Sequence, residues 1–372
     1  MRMKILAVFV EVTSYIISLI ENVYHVSTDN DITCVFCSQS VTGHIPDAEL
    51  PSNCLILEGS ISKKIWHLRK ELHHQHFDLM IINGYSDFIR SGLIQYCRCK
   101  KIPYCIEVDT QLMLPSSRIK AQIKSLYLHR IFENQAYGFA GGTRQRRLFE
   151  YYGMDSSHIF TMPMTIDVEY FRKTVEDCPG REELKEKYGV GSGPVILFVG
   201  RLTKVKNIPL LMEVLSKLEK DTVLVIVGKG EEEARLRKKA IELRVDDRVY
   251  FFEYQTMPCL AEFYKLADVF VLPSYFEQWG LVINEALSCG IPCVVSDKAG
   301  AADDLIMKNR NGFIFESGNA EDLADKIVRA LKASFCQKEI SACMDKWNYE
   351  VYAQSFRNAV NLIQKYSRDG KE

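Results

Sequence analysis

Short apolar runs, each bounded by turn residues and followed by a segment with helical spacing, set the limits on what this chain can fold into. Ile5–Val10, Ile32–Cys37, Leu79–Ile82 and Pro103–Val108 form a first series. Helical stretches fall at about Ser14–His25, Trp66–Leu72, Ile89–Cys97 and Ser117–Tyr137. Val195–Val199, Val223–Val227, Arg248–Phe252, Val269–Leu272, Pro292–Ser296 and Phe313–Phe315 form a second series, again with helices between. Strands alternating with helices predict an α/β fold built on parallel, doubly wound sheets. At 372 residues the chain exceeds one ordinary core, so two such domains are expected.

The pattern breaks between the two series. Met162–Asp167 reads as extended, Glu176–Gly180 is rich in turn residues, and a charged helix, Arg181–Tyr188, leads into Gly189–Pro194. The expected division is therefore a first Rossmann-like domain over residues 1–172, a linker over 173–193 and a second Rossmann-like domain over 194–345. A terminal helix over 346–372 carries Tyr352, Phe356, Val360 and Ile363 at helical spacing, and it is expected to pack back on the first domain. The economical arrangement has the carboxyl ends of the two sheets facing across a cleft.

A hydrophobic content of 47% with 26% charged residues is that of a globular chain, and the net charge of −1 gives no global reason to expect nucleic acid. The twelve cysteines are irregularly spaced. Cys34 and Cys37 form the only CxxC, inside an apolar run, which argues for reduced thiols in a cytoplasmic protein over zinc or disulfides. The apolar start is interrupted at Glu11, too soon for a signal peptide, and no other stretch reaches the roughly 20 residues of a membrane span.

Chemistry concentrates at Val269–Asp297. An apolar strand stops at Pro273-Ser274, and a loop carries Glu277. Gly280 then opens a helix that runs to Gly290. Glu277 and Glu285 are separated by seven residues, with the backbone amides of Gly280, Leu281 and Val282 between them. A helix start offers free N–H groups and a positive dipole end to a phosphate, while carboxylates accept from sugar hydroxyls. The carboxyl end of a parallel strand is where open α/β sheets bind ligands. A second loop, Gly200-Arg-Leu-Thr-Lys-Val-Lys206, follows Val195–Val199. Its Arg201 and Lys206 bring a planar fork and a point charge to another strand end, a pair suited to a diphosphate.

The combination of Gly200–Lys206, Glu277–Leu287, Gly290–Asp297 and Gly300 resembles the C-terminal half of family 4 glycosyltransferases of the GT-B fold, over roughly Pro194–Leu331. The resemblance implies that Arg201 and Lys206 contact the diphosphate of a nucleotide-sugar donor, with Gly200 at the strand end and the Gly280, Leu281 and Val282 amides completing the cradle. Glu277 would face the transferred sugar and Glu285 the ribose. The implied reaction is retaining transfer of a hexose from a UDP- or GDP-linked sugar to a saccharide acceptor. Base choice is read to depend on Gly228–Gly230 and Phe252–Gln255. No cofactor and no metal are expected, because cations and amides already oppose the phosphates. The one DxD, Asp29-Asn-Asp31, reads as turn chemistry.

The first half departs from the family. Val10–Ser14 stands where a glycine-rich loop is usual, and no histidine follows Pro103–Asp109. Asp109, with Glu107 nearby, is the candidate to orient the acceptor or its proton, a structural role being the other reading. His73, His74 and His76 read as surface residues. Arg118, Lys120, Lys124, Arg130, Arg144, Arg146 and Arg147 lie among apolar residues with only Glu133 as an acid between 118 and 147. Such a segment suits peripheral contact with the anionic inner face of a membrane and a lipid-linked acceptor in surface polysaccharide synthesis. An ordinary solvated helix face is the alternative. A soluble acceptor, another sugar-nucleotide activity and a non-catalytic nucleotide-sugar-binding subunit are the rival functions.

Overall fold

A computed structural model describes residues 2–26, 30–40, 50, 51, 53–114, 117–133 and 135–369, with side chains described up to residue 366. The chain divides into two compact units, Met1–Ile166 with Tyr349–Glu372, and Asp167–Asn348.

The first unit is a seven-stranded parallel sheet. Its strands are β1 (Lys4–Phe9), β2 (Asp31–Phe36), β3 (Cys54–Ile56), β4 (Leu79–Asn83), β5 (Tyr104–Val108), β6 (Ala136–Ala140) and β7 (Ile159–Thr161), in the order β3-β2-β1-β4-β5-β6-β7. The helices are α1 (Ser14–Leu19, continued by a π turn, Ile20–Tyr24), α2 (Ile61–His74), α3 (Phe88–Lys100), α4 (Arg118–Ile131) and α5 (Thr143–Tyr151). Successive strand residues point to opposite faces, and the core divides accordingly. Ile5, Ala7 and Phe9 join one buried cluster, and Leu6 and Val8 the other.

The second unit holds β8 (Val195–Val199), β9 (Val223–Val227), β10 (Val249–Phe252), β11 (Val269–Leu272), β12 (Cys293–Ser296) and β13 (Gly312–Phe315), in the order β10-β9-β8-β11-β12-β13. Its helices are α6 (Val168–Glu176), α7 (Arg181–Tyr188), α8 (Ile208–Leu215), α9 (Glu233–Glu242), α10 (Cys259–Leu266), α11 (Leu281–Ser288), α12 (Ala302–Leu305), α13 (Ala320–Lys332) and α14 (Gln337–Ala342). The central strands β8, β9 and β11 are buried at every residue, as a sheet covered by helices on both faces requires. In both sheets the strand order reverses direction once, between β1 and β4 and between β8 and β11.

The terminal helix α15 (Tyr349–Asp369) belongs to the first unit. Tyr352, Phe356, Val360 and Ile363, together with Ala353 and Ala359, are buried in the same cluster as Ile5 and Tyr24. The rings of Tyr24 and Phe356 lie 4.9 Å apart.

Three local readings change. The stretch Ser117–Tyr137 is not one helix: α4 stops at Ile131, and Tyr137 lies in β6. The residues around it, Ala136-Tyr-Gly-Phe-Ala140, are all buried. A Cβ on Gly138 would come within 2.9 Å of Phe149 and Met154, so the strand is seated too closely for a helix to replace it. Residues 173–193, read as a linker, contain the end of α6 and all of α7, and both helices pack on α10 within the second unit. Finally, β3 and β7 were unread. Each has three residues, too few for a period to show.

Candidate functional site

The two loops at the direction change of the second sheet are joined by their own hydrogen bonds. The Tyr275 N–H donates to the Val205 carbonyl at 2.8 Å, tying the loop after β11 to the loop after β8. The Lys206 ammonium forms an ion pair with the Glu277 carboxylate, both side chains being largely buried. A cation from one βα connection and an acid from another are thus held at a single point, at the carboxyl ends of adjacent strands.

Backbone constraints place that pair. Glu277 donates its N–H to the Lys298 carbonyl at 3.2 Å and accepts from the Gly300 N–H at 3.0 Å. A Cβ on Gly300 would lie 1.8 Å from the Gln278 carbonyl oxygen, so only glycine permits the loop after β12 to lie this close. Beneath the loop, the buried Trp279 indole donates to Asn284 Oδ1 at 2.9 Å and packs against Trp347 at 5.3 Å. Gly280 sits at φ +100° as the residue before α11, a conformation that costs any other L-residue about 1–2 kcal/mol. No side chain caps α11, and among the described residues the amides of Gly280, Leu281 and Val282 have no protein acceptor. Three N–H groups at a helix start are therefore available to an anion beside Lys206 and Glu277.

Glu285 lies one turn into α11. Its Oε2 accepts the Tyr264 hydroxyl proton at 2.7 Å, and enclosure by protein pushes its pKa up from the usual carboxylate value. Arg201 is exposed in the loop after Gly200 and makes no ion pair among the described residues. Gly200 has its own neighbour to accommodate. A Cβ on Gly228 would meet the Gly200 carbonyl oxygen at 2.0 Å, and one on Gly230 would meet that of Leu202 at 2.3 Å. The strand ends of β8 and β9 consequently lie backbone to backbone.

Two buried polar atoms in these loops lack hydrogen-bond partners, Asn207 Nδ2 and Ser274 Oγ. Asn207 also lines a cleft of about 210 Å³ with Thr203, Lys204, Glu232, Arg235 and Tyr275. Neither residue was singled out from the sequence. The only signal available was position: each stands at an end of one of the two loops.

The first unit treats its carboxylates differently. Glu107, on β5, accepts from the Tyr352 hydroxyl at 3.0 Å and the Asn83 amide at 3.2 Å, and the Tyr352 hydroxyl lies 3.4 Å from that of Tyr24. Burial raises its pKa against those two bonds. Asp109 accepts from its neighbour Thr110, and its carbonyl from the Gln145 amide; burial raises its pKa too. His73, His74 and His76 are exposed. Of Asp29-Asn-Asp31, Asp29 lies outside the described residues, and Asp31 starts β2. No group of three or more metal-ligating side chains occurs among the described residues, and all twelve cysteines are free.

Comparison with known proteins follows this geometry. The family described as "Glycosyl transferases group 1" matches residues 180–345. A D-inositol 3-phosphate glycosyltransferase of Pseudarthrobacter chlorophenolicus is 28% identical over 297 residues, covering 76% of this chain and 68% of that protein. The N-acetyl-alpha-D-glucosaminyl L-malate synthase of Bacillus anthracis is 30% identical over 187 residues, 50% of this chain and 47% of its own length. Seven further curated relatives are each matched over less than half of their own length. Among solved structures, Anabaena HepE in complex with UDP superposes with a TM-score of 0.77 at 16% identity, covering 96% of this chain and 100% of that one. Residues 180–345 carry a group 1 glycosyltransferase domain, and the chain has the GT-B fold.

Proposed function

We propose that this protein is a retaining, metal-independent hexosyltransferase that takes its sugar from a nucleotide diphosphate donor bound at the loops after β8 and β11. The observation that carries the reading is the meeting of Lys206, Glu277 and the uncapped start of α11 at the direction change of the second sheet. Cleavage of the bond between the anomeric carbon and phosphate leaves charge on the diphosphate and an electron-poor sugar. Lys206, Arg201 and the amides of Gly280, Leu281 and Val282 stabilise that charge as it grows. A diphosphate arriving beside Lys206 exchanges one anionic partner for another, which frees the Glu277 carboxylate for sugar hydroxyls. Glu285, with one oxygen on Tyr264, accepts from the ribose. With fixed cations and amides opposing the phosphates, the chemistry calls for no divalent ion, and no further cofactor enters.

The acceptor is a saccharide, read as lipid-linked in surface polysaccharide synthesis on the cytoplasmic face of a membrane. Asp109 is the acceptor-side candidate to orient the hydroxyl. The HepE likeness includes a UDP complex, which supports a nucleotide-linked donor, and UDP against GDP stays open to test.

The experiment is donor hydrolysis and transfer over a panel of UDP- and GDP-sugars, with the anomeric configuration of the product read by NMR. One donor should be turned over with retention, and Glu277→Ala should abolish this. Turnover of no donor in the panel, inversion, or full activity in Glu277→Ala defeats the reading.

A further inference from the structure

The basic stretch Arg118–Arg147 does not act as one surface. Arg146 is engaged by Glu150 and by the carbonyls of Ile159 and Ser156, and Arg144 donates to Gln111. What remains is α4. Only Leu128 and Ile131 of that helix are buried, and they seat its last turns. The Tyr127 hydroxyl adds a bond to the Tyr85 carbonyl at 3.0 Å, and the Lys124 ammonium reaches the Met113 carbonyl at 3.2 Å. The opposite side carries Ile119, Ile123 and Leu126 at 69%, 64% and 74% exposure. Spacings of four and three put those three side chains on one stripe. Met113 and Leu114, ahead of the helix in the chain, are likewise more than half exposed.

Exposed isoleucines and leucines in water leave the hydrophobic gain of burial unused, and a contiguous group of them marks a contact surface. The charge around this one identifies the contact. Arg118 and Lys120 flank the stripe and Arg130 ends it, and no acidic residue occurs between Thr110 and Phe132. Apolar side chains rimmed by cations match a bilayer surface with anionic headgroups, where the stripe enters the acyl boundary and the cations stay at headgroup level. We infer that α4, with Met113 and Leu114, is a docking face for an anionic phospholipid bilayer. It deepens the lipid-linked acceptor reading above by naming the residues that enter the membrane and those that stay at its surface.

The test is co-sedimentation of the full chain with vesicles of phosphatidylcholine alone or mixed with phosphatidylglycerol, beside light scattering in solution. Wild type should sediment with the mixed vesicles and lose that binding as salt rises. Replacing Ile119, Ile123 and Leu126 together by serine should reduce partition about tenfold or more. Arg118→Glu with Lys120→Glu should reduce it by about fivefold for each cation lost. Equal sedimentation with both vesicle types, or wild-type partition in the serine variant, overturns the proposal. So does a wild-type dimer that the serine variant converts to monomer, because a second copy would then be the occupant. Donor-induced thermal shift, read in the same variants, should stay at the wild-type value. Failure at the membrane with that shift intact leaves the donor site standing, and the reverse result leaves the docking face standing.

Discussion

The two sheets of this chain share an architecture and differ in how they finish their helices. At the direction change of the first sheet, α1 starts behind Thr13, whose hydroxyl accepts from the Ile16 N–H at 3.2 Å, and α3 starts behind Asp87, which accepts from the Arg90 N–H at 2.8 Å. At the same place in the second sheet, α8 and α11 start behind Asn207 and Gly280, and neither side chain caps its helix. A capped helix has given one of its free donors to its own side chain, whereas an uncapped one keeps it for a ligand. The carboxylates follow the same division. Glu107 is taken up by Tyr352 and Asn83, while Glu277 is held by a lysine that a phosphate could claim. Equivalent topology thus locates two strand ends, and local capping decides which of them keeps its helix N–H groups uncapped.

Breaking the second site should have the largest effect. Lys206→Ala and Glu277→Ala should each slow transfer about a hundredfold or more, a barrier change of about 3 kcal/mol, in initial-rate assays. Thr13→Ala in the first unit should leave the rate within twofold. If both kinds of variant slow the reaction alike, the contrast between the units is wrong.

Gly300→Ala should come next. Its Cβ would press on the Gln278 carbonyl, so the loop holding Glu277 must move. A loss of about 1–3 kcal/mol in urea unfolding is expected, together with a weakened donor-induced thermal shift.

The buried carboxylates sharpen the comparison through pH. The folded pKa values of Glu107 and Glu285 lie above the ordinary 4.5. The folded state therefore holds protons that the unfolded chain has released. Each group's stabilising contribution is fully present below about 4.5 and is lost as pH rises through the folded value. Glu107→Gln should flatten that fall relative to wild type, by at most about 1.4 kcal/mol per pH unit, in denaturant midpoints measured upward from pH 4.5. A parallel pH profile for the variant would show that Glu107 titrates normally.

The smallest effect should be Thr13→Ala itself. Loss of the cap should cost about 1 kcal/mol of unfolding free energy with an unchanged donor-induced shift. A change in donor affinity would place the first helix start in the donor site and erase the distinction.

Some features were legible in the residues because they depend on short-range rules. The period of apolar residues located β1, β2, β4 and β5 of the first sheet and all six strands of the second, and Tyr352, Phe356, Val360 and Ile363 marked the buried side of the last helix. Gly280 and Gly290 bracketed α11 because a positive φ favours glycine. The misread end of α4 has an equally local cause. Arg130, Ile131 and Phe132 continue a helical spacing, and only the packing of Phe149 and Met154 on Gly138 shows why the chain straightens.

By itself the sequence determined the class of fold, the order of the second unit's strands and which strand-to-helix segments carry Arg201, Lys206, Glu277 and Glu285, because these follow from periodicity and from side-chain chemistry at fixed spacing. Tertiary structure alone decided that Lys206 meets Glu277, that Tyr352 closes over Glu107, and that Ile119, Ile123 and Leu126 face outward. Each of those depends on residues distant in the chain, or on which side of a helix its neighbours cover. No local spacing encodes that information.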